Sequence, residues 1–206
     1  VLTAASAAAG SVCWDLGGHV APVFGLRIAG ASIYAFRGGD AAGGPFWLYD
    51  PATGLWNSPT NPTDYAATVN GGGSLTTDGT YVYGLQGDGT KIFKRYNPAT
   101  DTWTSLASLL DNVGNGGSLA YHTDGKIYAL RGAGQKTFSQ YTVGSPGSWV
   151  RKALYPQKVS DGGALVSVGN YLYGLQGGGK RGFSRYDPTA DAWAILASTP
   201  ANVDDG

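Results

Sequence analysis

Two histidines and a single cysteine are the side chains of this sequence best suited to metal binding or nucleophilic catalysis. His19 and His122 have no cysteine or carboxylate at the spacing of a metal site. No serine or cysteine is placed with them as a catalytic triad would require. We therefore predict no metal and no cofactor. Cys13 is interpreted as a buried small hydrophobe or an incidental thiol, and a lone cysteine forms no internal disulfide.

The run Gly177-Gly178-Gly179-Lys180-Arg181-Gly182 matches the G-x-G-x-x-G pattern of dinucleotide-binding loops. That chemistry needs a strand before the loop and a helix after it, because the helix N-terminus meets the phosphates. Corresponding glycines elsewhere in the chain form turns that lead into another strand. We therefore interpret this run as a turn between strands.

All 14 acidic residues are aspartates, and each occupies a position typical of turns or connections. No two of them are marked as the acid and base of glycoside hydrolysis, and no calcium-binding loop pattern is present. The sequence therefore predicts a protein that is not an enzyme. The alternative is the propeller domain of a carbohydrate-active enzyme whose catalytic residues are not visible in the sequence.

Composition narrows the fold class and the partners. The chain has 206 residues with 34 Gly, 10 Pro, 13 Tyr and 6 Trp, and its formal net charge is zero. Zero net charge disfavours nucleic acid and anionic membranes as partners, and no apolar run approaches the ~20 residues of a membrane span. The absence of Glu and Met, with few Lys and Arg, disfavours helix. We expect an all-β protein with no nucleic-acid binding and no membrane insertion.

The sequence contains four copies of one pattern, separated by 49, 45 and 45 residues. A first tyrosine, followed within a few residues by a glycine cluster, recurs at Tyr34, Tyr83, Tyr128 and Tyr173. A second tyrosine recurs at Tyr49, Tyr96, Tyr141 and Tyr186, and a tryptophan follows at Trp56, Trp103, Trp149 and Trp193. Such periodicity is typical of repeat architectures.

Each copy predicts four antiparallel strands, as the second copy illustrates. Its strands are predicted over 73–77, 80–86, 91–96 and 103–109, with Asp78-Gly79 as a two-residue hairpin. Four strands per unit of about 45 residues indicate a β-propeller blade. The recurring tyrosines and tryptophans are expected to fill the space between neighbouring blades.

This pattern of glycine pair, tyrosine and tryptophan closely resembles the kelch repeat, and the resemblance covers residues 17–206. It implies a β-propeller with blades over 17–70, 71–115, 116–161 and 162–206. The first copy is the weakest match, and there we expect an insertion or a distorted first strand. Kelch-like propellers include copper-radical oxidases, but two histidines and one cysteine do not support carrying that site over.

The N-terminal segment 1–16 is predicted to supply an extra outer strand. Residues 1–6 resemble the fourth strand of the last unit, 194–199, and form a candidate strand-exchange segment: Val1, Leu2, Thr3, Ala4, Ala5 and Ser6. Three interpretations remain open. The chain is a segment of a six- or seven-bladed protein, a four-bladed ring with a spare strand, or part of an assembly that another chain closes.

A series of polar residues ends the second strand of each unit, and strand order places it beside the connections between units. The candidate binding face comprises Arg37, Gln86, Lys91, Arg131, Gln135, Lys136, Gln176, Lys180 and Arg181. Loops on a rigid scaffold often bind partners, although solvated turn residues would produce the same pattern. We expect a non-catalytic scaffold or interaction module, extracellular or at the cell surface, that binds proteins or its own copies. A glycan-binding propeller is the alternative.

Overall fold

The computed structural model describes residues 23–29, 32–38, 43–57, 61–144 and 147–204. These residues form sixteen β-strands and no helix, and the strands make four separate antiparallel sheets of four strands each. Within every sheet the strands lie in sequence order, so each strand pairs with the one that follows it. The predicted all-β architecture of four-stranded, blade-like sheets is confirmed.

Each blade is defined by its four strands. Blade 1 contains β1 (Val23–Ala29), β2 (Ser32–Arg37), β3 (Phe46–Asp50) and β4 (Leu55–Trp56). Blade 2 contains β5 (Ser74–Thr77), β6 (Val82–Leu85), β7 (Phe93–Asn97) and β8 (Thr102–Ser105). Blade 3 contains β9 (Ser118–Tyr121), β10 (Lys126–Leu130), β11 (Phe138–Thr142) and β12 (Ser148–Arg151). Blade 4 contains β13 (Ala164–Val168), β14 (Tyr171–Leu175), β15 (Phe183–Asp187) and β16 (Ala192–Ile195).

The first strand of blade 1 is irregular, since its pairing with β2 shifts register between Phe24 and Leu26. A β-bulge of this kind bends the strand and increases its twist. The predicted outer strand at residues 1–16, including the strand-exchange segment 1–6, lies outside the described residues.

The turn between β5 and β6 differs from the prediction. Thr77 pairs with Val82, so the loop has four residues. The prediction of a two-residue hairpin at Asp78-Gly79 is therefore wrong. Asp78 Oδ1 accepts hydrogen bonds from the backbone N–H groups of Thr80 and Tyr81, at 2.8 and 2.7 Å. An aspartate that satisfies two backbone donors stabilises the wider loop.

The recurrent spacing of tyrosine and tryptophan follows from strand register. In each blade the second tyrosine lies directly opposite the tryptophan of the fourth strand: Tyr49 with Trp56, Tyr96 with Trp103, Tyr141 with Trp149 and Tyr186 with Trp193. Such cross-strand pairs stabilise a sheet by side-chain contact. The two rings of each pair lie on the same face of the blade, and in blades 2, 3 and 4 they meet the preceding blade there.

The hydrophobic core lies between the blades. We call the face of a blade that meets the following blade its front face, and the opposite face its rear face. In the first junction, Phe46 on the front of blade 1 contacts Tyr96 and Trp103 on the rear of blade 2, with ring centroids 4.9 Å apart in both cases. The second and third junctions repeat this arrangement, with Phe93 against Trp149 and Phe138 against Trp193.

The four blades form an open arc. Their first strands lie side by side, β1 next to β5, β5 next to β9 and β9 next to β13. Although β1 and β13 are both described, they are not packed together in this way. Hydroxyl groups also join the first strands, since Ser74 Oγ accepts the N–H of Leu119 and Ser118 Oγ accepts the N–H of Leu165, both at 3.0 Å. Among the described residues, the first strands of the first and last blades are therefore not packed side by side.

Candidate functional site

The turns between second and third strands share one face of the arc with the connections between blades. We call this surface the loop face. Short backbone bridges join turn to connection, pairing Thr90 with Val113, Gln135 with Val159 and Lys180 with Val203. At the first of them, the N–H of Val113 donates to the carbonyl of Thr90 at 2.7 Å, and the N–H of Gly89 donates to the carbonyl of Val113 at 2.8 Å. The loop face is therefore a set of mutually bonded loops.

Three cations of the predicted binding face bond to the connections between blades. Lys91 Nζ donates to the carbonyl of Leu110 at 2.9 Å, and Arg131 Nε donates to the carbonyl of Asn112 at 2.8 Å. Arg181 Nε donates to the carbonyl of Thr199 at 2.6 Å. Each of these cations sits in or beside a turn and fixes the connection that passes it.

An ion pair lies beside two of these cations. Arg151 donates two hydrogen bonds to the carboxylate of Asp111, at 2.6 and 3.0 Å. This bond lowers the pKa of Asp111 below its usual value, and the nearby charges of Arg131 and Lys91 act in the same direction. The carboxylate of Asp111 thus has its cationic partner within the protein.

Other cations of the predicted face are exposed. Arg37, Lys136 and Lys180 are exposed, and their side chains form no hydrogen bond or ion pair with any described residue. Gln135 is exposed too, with a long contact of 3.5 Å from its Nε2 to the carbonyl of Ala133. These side chains are the ones available to a ligand.

The two glutamines of the series are less exposed than these three cations. Gln86 is only 7 % exposed, and its buried Oε1 has no hydrogen-bond partner in the described part of the chain. Gln176 is half-buried, and its Oε1 lies where a side chain at Gly182 would begin. The structure therefore separates the nine predicted residues into three cations bonded to the connections, two glutamines that are buried or half-buried, and four exposed side chains without a close partner among the described residues.

Sequence reasoning did not select Lys158, Gln157 and Asp161, which lie on the connection between blades 3 and 4. Lys158 is exposed, while Gln157 Oε1 and Asp161 Oδ1 are buried and have no partner among the residues described. Only the strand-end and turn positions recur in register, so the repeat pattern carried no signal for these three residues.

The opposite face of the arc is rich in carboxylates. It carries the aspartates at the remaining turns: Asp50, Asp78, Asp101, Asp124, Asp187 and Asp191. Several accept hydrogen bonds from tyrosine hydroxyls: Asp78 from Tyr83 at 2.9 Å, and Asp124 from Tyr128 at 2.8 Å. The loop face also has aspartates (Asp64, Asp88, Asp111, Asp161 and Asp204), but most of the exposed Lys and Arg side chains lie there. The two faces therefore differ in charge although the chain as a whole is neutral.

His122 is a buried side chain of the β9–β10 turn. Its Nδ1 lies 3.1 Å from Asp124 Oδ1, and its ring meets Tyr128 edge-on. Within the described ranges, no three His, Cys, Asp or Glu side chains come together as a metal site would require. His19 and Cys13 lie outside those ranges. In the described part of the chain, no helix has the length and hydropathy needed to cross a bilayer.

No protein-family model matches the sequence, and no curated protein matches it. Among solved structures 367 chains are similar, and one of them is described as "Structure of YjhT". It matches with a TM-score of 0.63 and 15 % sequence identity, over 86 % of this chain and 66 % of that one. This chain therefore spans about two thirds of the length of YjhT. At this identity the likeness shows the fold alone.

Proposed function

We propose that this chain is a kelch-type propeller module that binds an acidic segment of a partner protein on its loop face and catalyses no reaction. The observation that supports this proposal most directly is that Arg37, Lys136 and Lys180 are exposed on that face. Their side chains have no hydrogen-bond or ion-pair partner among the described residues. The kelch assignment is supported by the tyrosine and tryptophan pair that recurs in the same register in all four blades.

The rigidity of the loop face favours binding. Backbone bridges and the bonds from Lys91, Arg131 and Arg181 hold the turns in place before a ligand arrives. A preorganised surface loses less conformational entropy on association than a flexible one does. Arginine and lysine side chains are suited to carboxylates, and arginine binds them with two parallel hydrogen bonds.

The absence of a reaction is part of the same proposal. Several described aspartates are engaged in turns, as Asp187 is with the N–H of Thr189 at 2.9 Å, or with tyrosine hydroxyls, as Asp78 is with Tyr83. An extracellular or cell-surface location also belongs to the proposal, and it is supported by the low charge and the abundance of Gly and Tyr. Strand exchange through residues 1–6 stays a prediction.

Fluorescence anisotropy with labelled peptides tests the binding proposal. An aspartate-rich peptide and a lysine-rich peptide of the same length are titrated with the wild type and with a triple variant, Arg37→Glu, Lys136→Glu and Lys180→Glu. We expect the acidic peptide to bind, and the triple variant to weaken binding at least about tenfold, equivalent to about 1.4 kcal/mol. Added salt should weaken binding as well, because it screens exposed charges.

Lys126→Glu is the matched control, since Lys126 lies on the opposite face and its loss should leave peptide binding unchanged. A glycan array with neutral and carboxylated sugars completes the experiment. Equal binding of both peptides, or no binding of the acidic one, would contradict the proposal. Binding of neutral glycans that survives the triple variant would instead support a glycan-binding module.

A further inference from the structure

The junction between blades 2 and 3 pairs its charged side chains within the chain, and it is the reference for the junction that follows. Arg151 of β12 donates two hydrogen bonds to Asp111 on the connection, at 2.6 and 3.0 Å. Arg131, directly after β10, donates to the carbonyl of Asn112 at 2.8 Å. The three charged positions of this junction are therefore satisfied by the protein itself.

The junction between blades 3 and 4 carries uncharged side chains at the same three positions. The residues that correspond to the aspartate and to the arginines after β10 and in β12 are, in this order, Gln157, Gln176 and Ile195. Gln157 Oε1 is buried and has no hydrogen-bond partner in the described part of the chain. The side-chain amide of Gln176 forms no hydrogen bond with a described residue either. The equivalent bonds are thus missing here.

A glycine brings the two amides of this junction together. An ideal Cβ at Gly182 would overlap Gln176 Oε1 and would lie 3.2 Å from Gln157 Cδ. Blade 3 has Thr137 at the corresponding position. The backbone of Gly182 is outside the left-handed region, so its conformation does not require glycine. The missing side chain instead leaves the space in which both amides lie.

Three exposed lysines lie on the turns and the connection that carry these amides: Lys136, Lys158 and Lys180. The carbonyl of Lys136 accepts the N–H of Tyr155 at 2.9 Å, two residues before Gln157. Lys158 follows Gln157 directly, and Lys180 lies two residues before Gly182. The junction therefore combines cations that attract carboxylates with amides that lack partners among the described residues.

Asp161 adds another acceptor to the same connection. Its Oδ1 is buried and has no partner among the residues described. The preceding residue, Ser160, donates its N–H to the carbonyl of Gln176 at 3.1 Å. Buried polar atoms in proteins are nearly always hydrogen-bonded, and the buried oxygens of Gln157 and Asp161 need donors. A ligand made only of anionic groups has none, so the junction suits a ligand that carries both a carboxylate and an N–H group.

We propose that the junction between blades 3 and 4 binds the main chain of the acidic segment, with Gln157 and Gln176 hydrogen-bonded to its peptide groups. This inference rests on the proposed function, because it specifies the part of the loop face that is used and the group of the ligand that is recognised. A glutamine amide offers two N–H donors and an oxygen acceptor, which match the carbonyl and the N–H of a peptide group. The lysines then hold the carboxylate side chains that flank this group.

A methylation scan of the ligand tests the recognition of peptide groups. Each peptide nitrogen of the aspartate-rich peptide is methylated in turn, which removes one N–H and leaves the charge unchanged. Fluorescence anisotropy should show at least one position where methylation weakens binding to the wild type about three- to tenfold, the effect of one lost hydrogen bond. Methylation at that position should have little effect on binding to Gln157→Leu.

Variants of the protein test the site from the other side. Gln157→Leu and Gln176→Leu keep the size of each side chain and remove its amide, and each should weaken binding of the unmodified peptide about three- to tenfold. Gly182→Thr introduces the side chain that blade 3 carries and should weaken binding as well. Asn170→Leu is the matched control, since it removes an exposed amide on the opposite face and should leave binding unchanged.

The outcomes separate this inference from the proposed function. If the acidic peptide binds but neither leucine variant weakens it, or no methylated position matters, the inference is overturned and the proposed function stands. If the acidic peptide does not bind the wild type, both are overturned. Circular dichroism checks that every variant is folded. Should a leucine variant fail to fold, Gly182→Thr replaces it, and unchanged binding by that variant would overturn the inference.

Discussion

The hydroxyl of Tyr155 donates a hydrogen bond of 2.7 Å to the carbonyl of Gly174, and the tyrosine ring fills the space that a side chain at position 174 would need. Tyr65 and Gly84 form the same pair at the first junction, with a bond of 3.1 Å. At the second junction the connection carries Leu109, and the strand carries Ala129 instead of glycine. At the first and third junctions, a tyrosine on the connection between blades therefore packs against a glycine on the second strand of the next blade. At the second junction, a leucine on the connection occurs with an alanine on that strand.

Gly174→Ala should lower the free energy of unfolding by roughly 1–3 kcal/mol, since it overpacks a filled junction. The added Cβ would lie 2.7 Å from Cε2 of Tyr155, and the backbone of Gly174 is outside the left-handed region, so the cost comes from the ring. The double variant Gly174→Ala with Tyr155→Leu reproduces the second junction and should recover much of the loss. Urea denaturation of the four proteins in a double-mutant cycle measures the coupling.

The matched control for this cycle is Leu109→Tyr, which introduces a tyrosine opposite Ala129 and should destabilise the chain. Additive effects of Gly174→Ala and Tyr155→Leu would show that the ring and the glycine are not coupled.

Trp149 should contribute strongly to stability through its ring and its indole N–H. The ring lies 5.2 Å from Phe93, and Nε1 donates to the carbonyl of Ala107 at 3.0 Å. Trp149→Ala should cost about 3–5 kcal/mol of unfolding free energy. Trp149→Phe keeps an aromatic ring and should cost about 1–3 kcal/mol, because it removes the donor that pairs with the half-buried carbonyl of Ala107. Chemical denaturation measures both, and Ile195→Ala, at an exposed position, should be close to neutral.

Gly116→Ala should be among the most destabilising small substitutions. Gly116 has φ +80°, and a Cβ there would overlap the carbonyl oxygen of Ser160 on the neighbouring connection. Backbone strain and overlap together should cost roughly 2–5 kcal/mol. Gly134→Ala separates the two causes, because Gly134 has φ +66° with nothing near its missing Cβ. It should cost only about 1–2 kcal/mol, the strain alone. Equal melting temperatures for the two variants would contradict this account.

Acidification should destabilise the junction between blades 1 and 2 through Asp101. Burial disfavours its charge, but hydrogen bonds from the N–H of Thr63 at 2.7 Å, from the hydroxyl of Tyr96 at 2.7 Å and from the Thr63 hydroxyl outweigh this effect. The pKa of Asp101 is therefore below its usual value of 3.8.

The pKa of Asp101 is lower in the folded chain than in the unfolded one. Its contribution to stability is therefore complete at pH values above its pKa in the unfolded chain. That contribution is lost as the pH falls through the pKa of Asp101 in the folded chain. Wild-type stability should thus decline from about pH 5 downwards, and Asp101→Asn should show a shallower decline. NMR titration of the Asp101 carboxyl should give a higher pKa in Thr63→Val and in Tyr96→Phe than in the wild type. An unchanged pKa in both variants would contradict the role of these bonds.

The repeat pattern predicted the blades well because it records local register. Tyr96 and Trp103 must face each other across a hairpin to share one sheet face, and this requirement keeps their spacing nearly constant along the sequence. The turn at Asp78 was less predictable. Its length depends on whether the aspartate bonds to its own loop, and Asp-Gly is compatible with hairpins of more than one length.

The predicted binding residues differ in burial and in hydrogen bonding, and the sequence pattern does not predict these differences. Gln86 and Arg37 end equivalent strands, yet Gln86 is enclosed and Arg37 is exposed. Lys91 and Lys136 hold equivalent turn positions, but only Lys91 has a carbonyl partner among the described residues. For Lys91 the difference comes from the connection that passes it, because the carbonyl of Leu110 lies 2.9 Å from its Nζ.

The order of residues along the chain was thus sufficient for the four strands of each blade, the blade pattern and the identity of the packing aromatics, because these depend on local pairing and period. The sequence was not sufficient to predict how exposed these aromatic side chains are. Tyr128 and Tyr173 occupy the same position in their blades, and Tyr128 is buried while Tyr173 is half-buried. Burial depends on what packs against a face, and only the three-dimensional arrangement of the blades decides that.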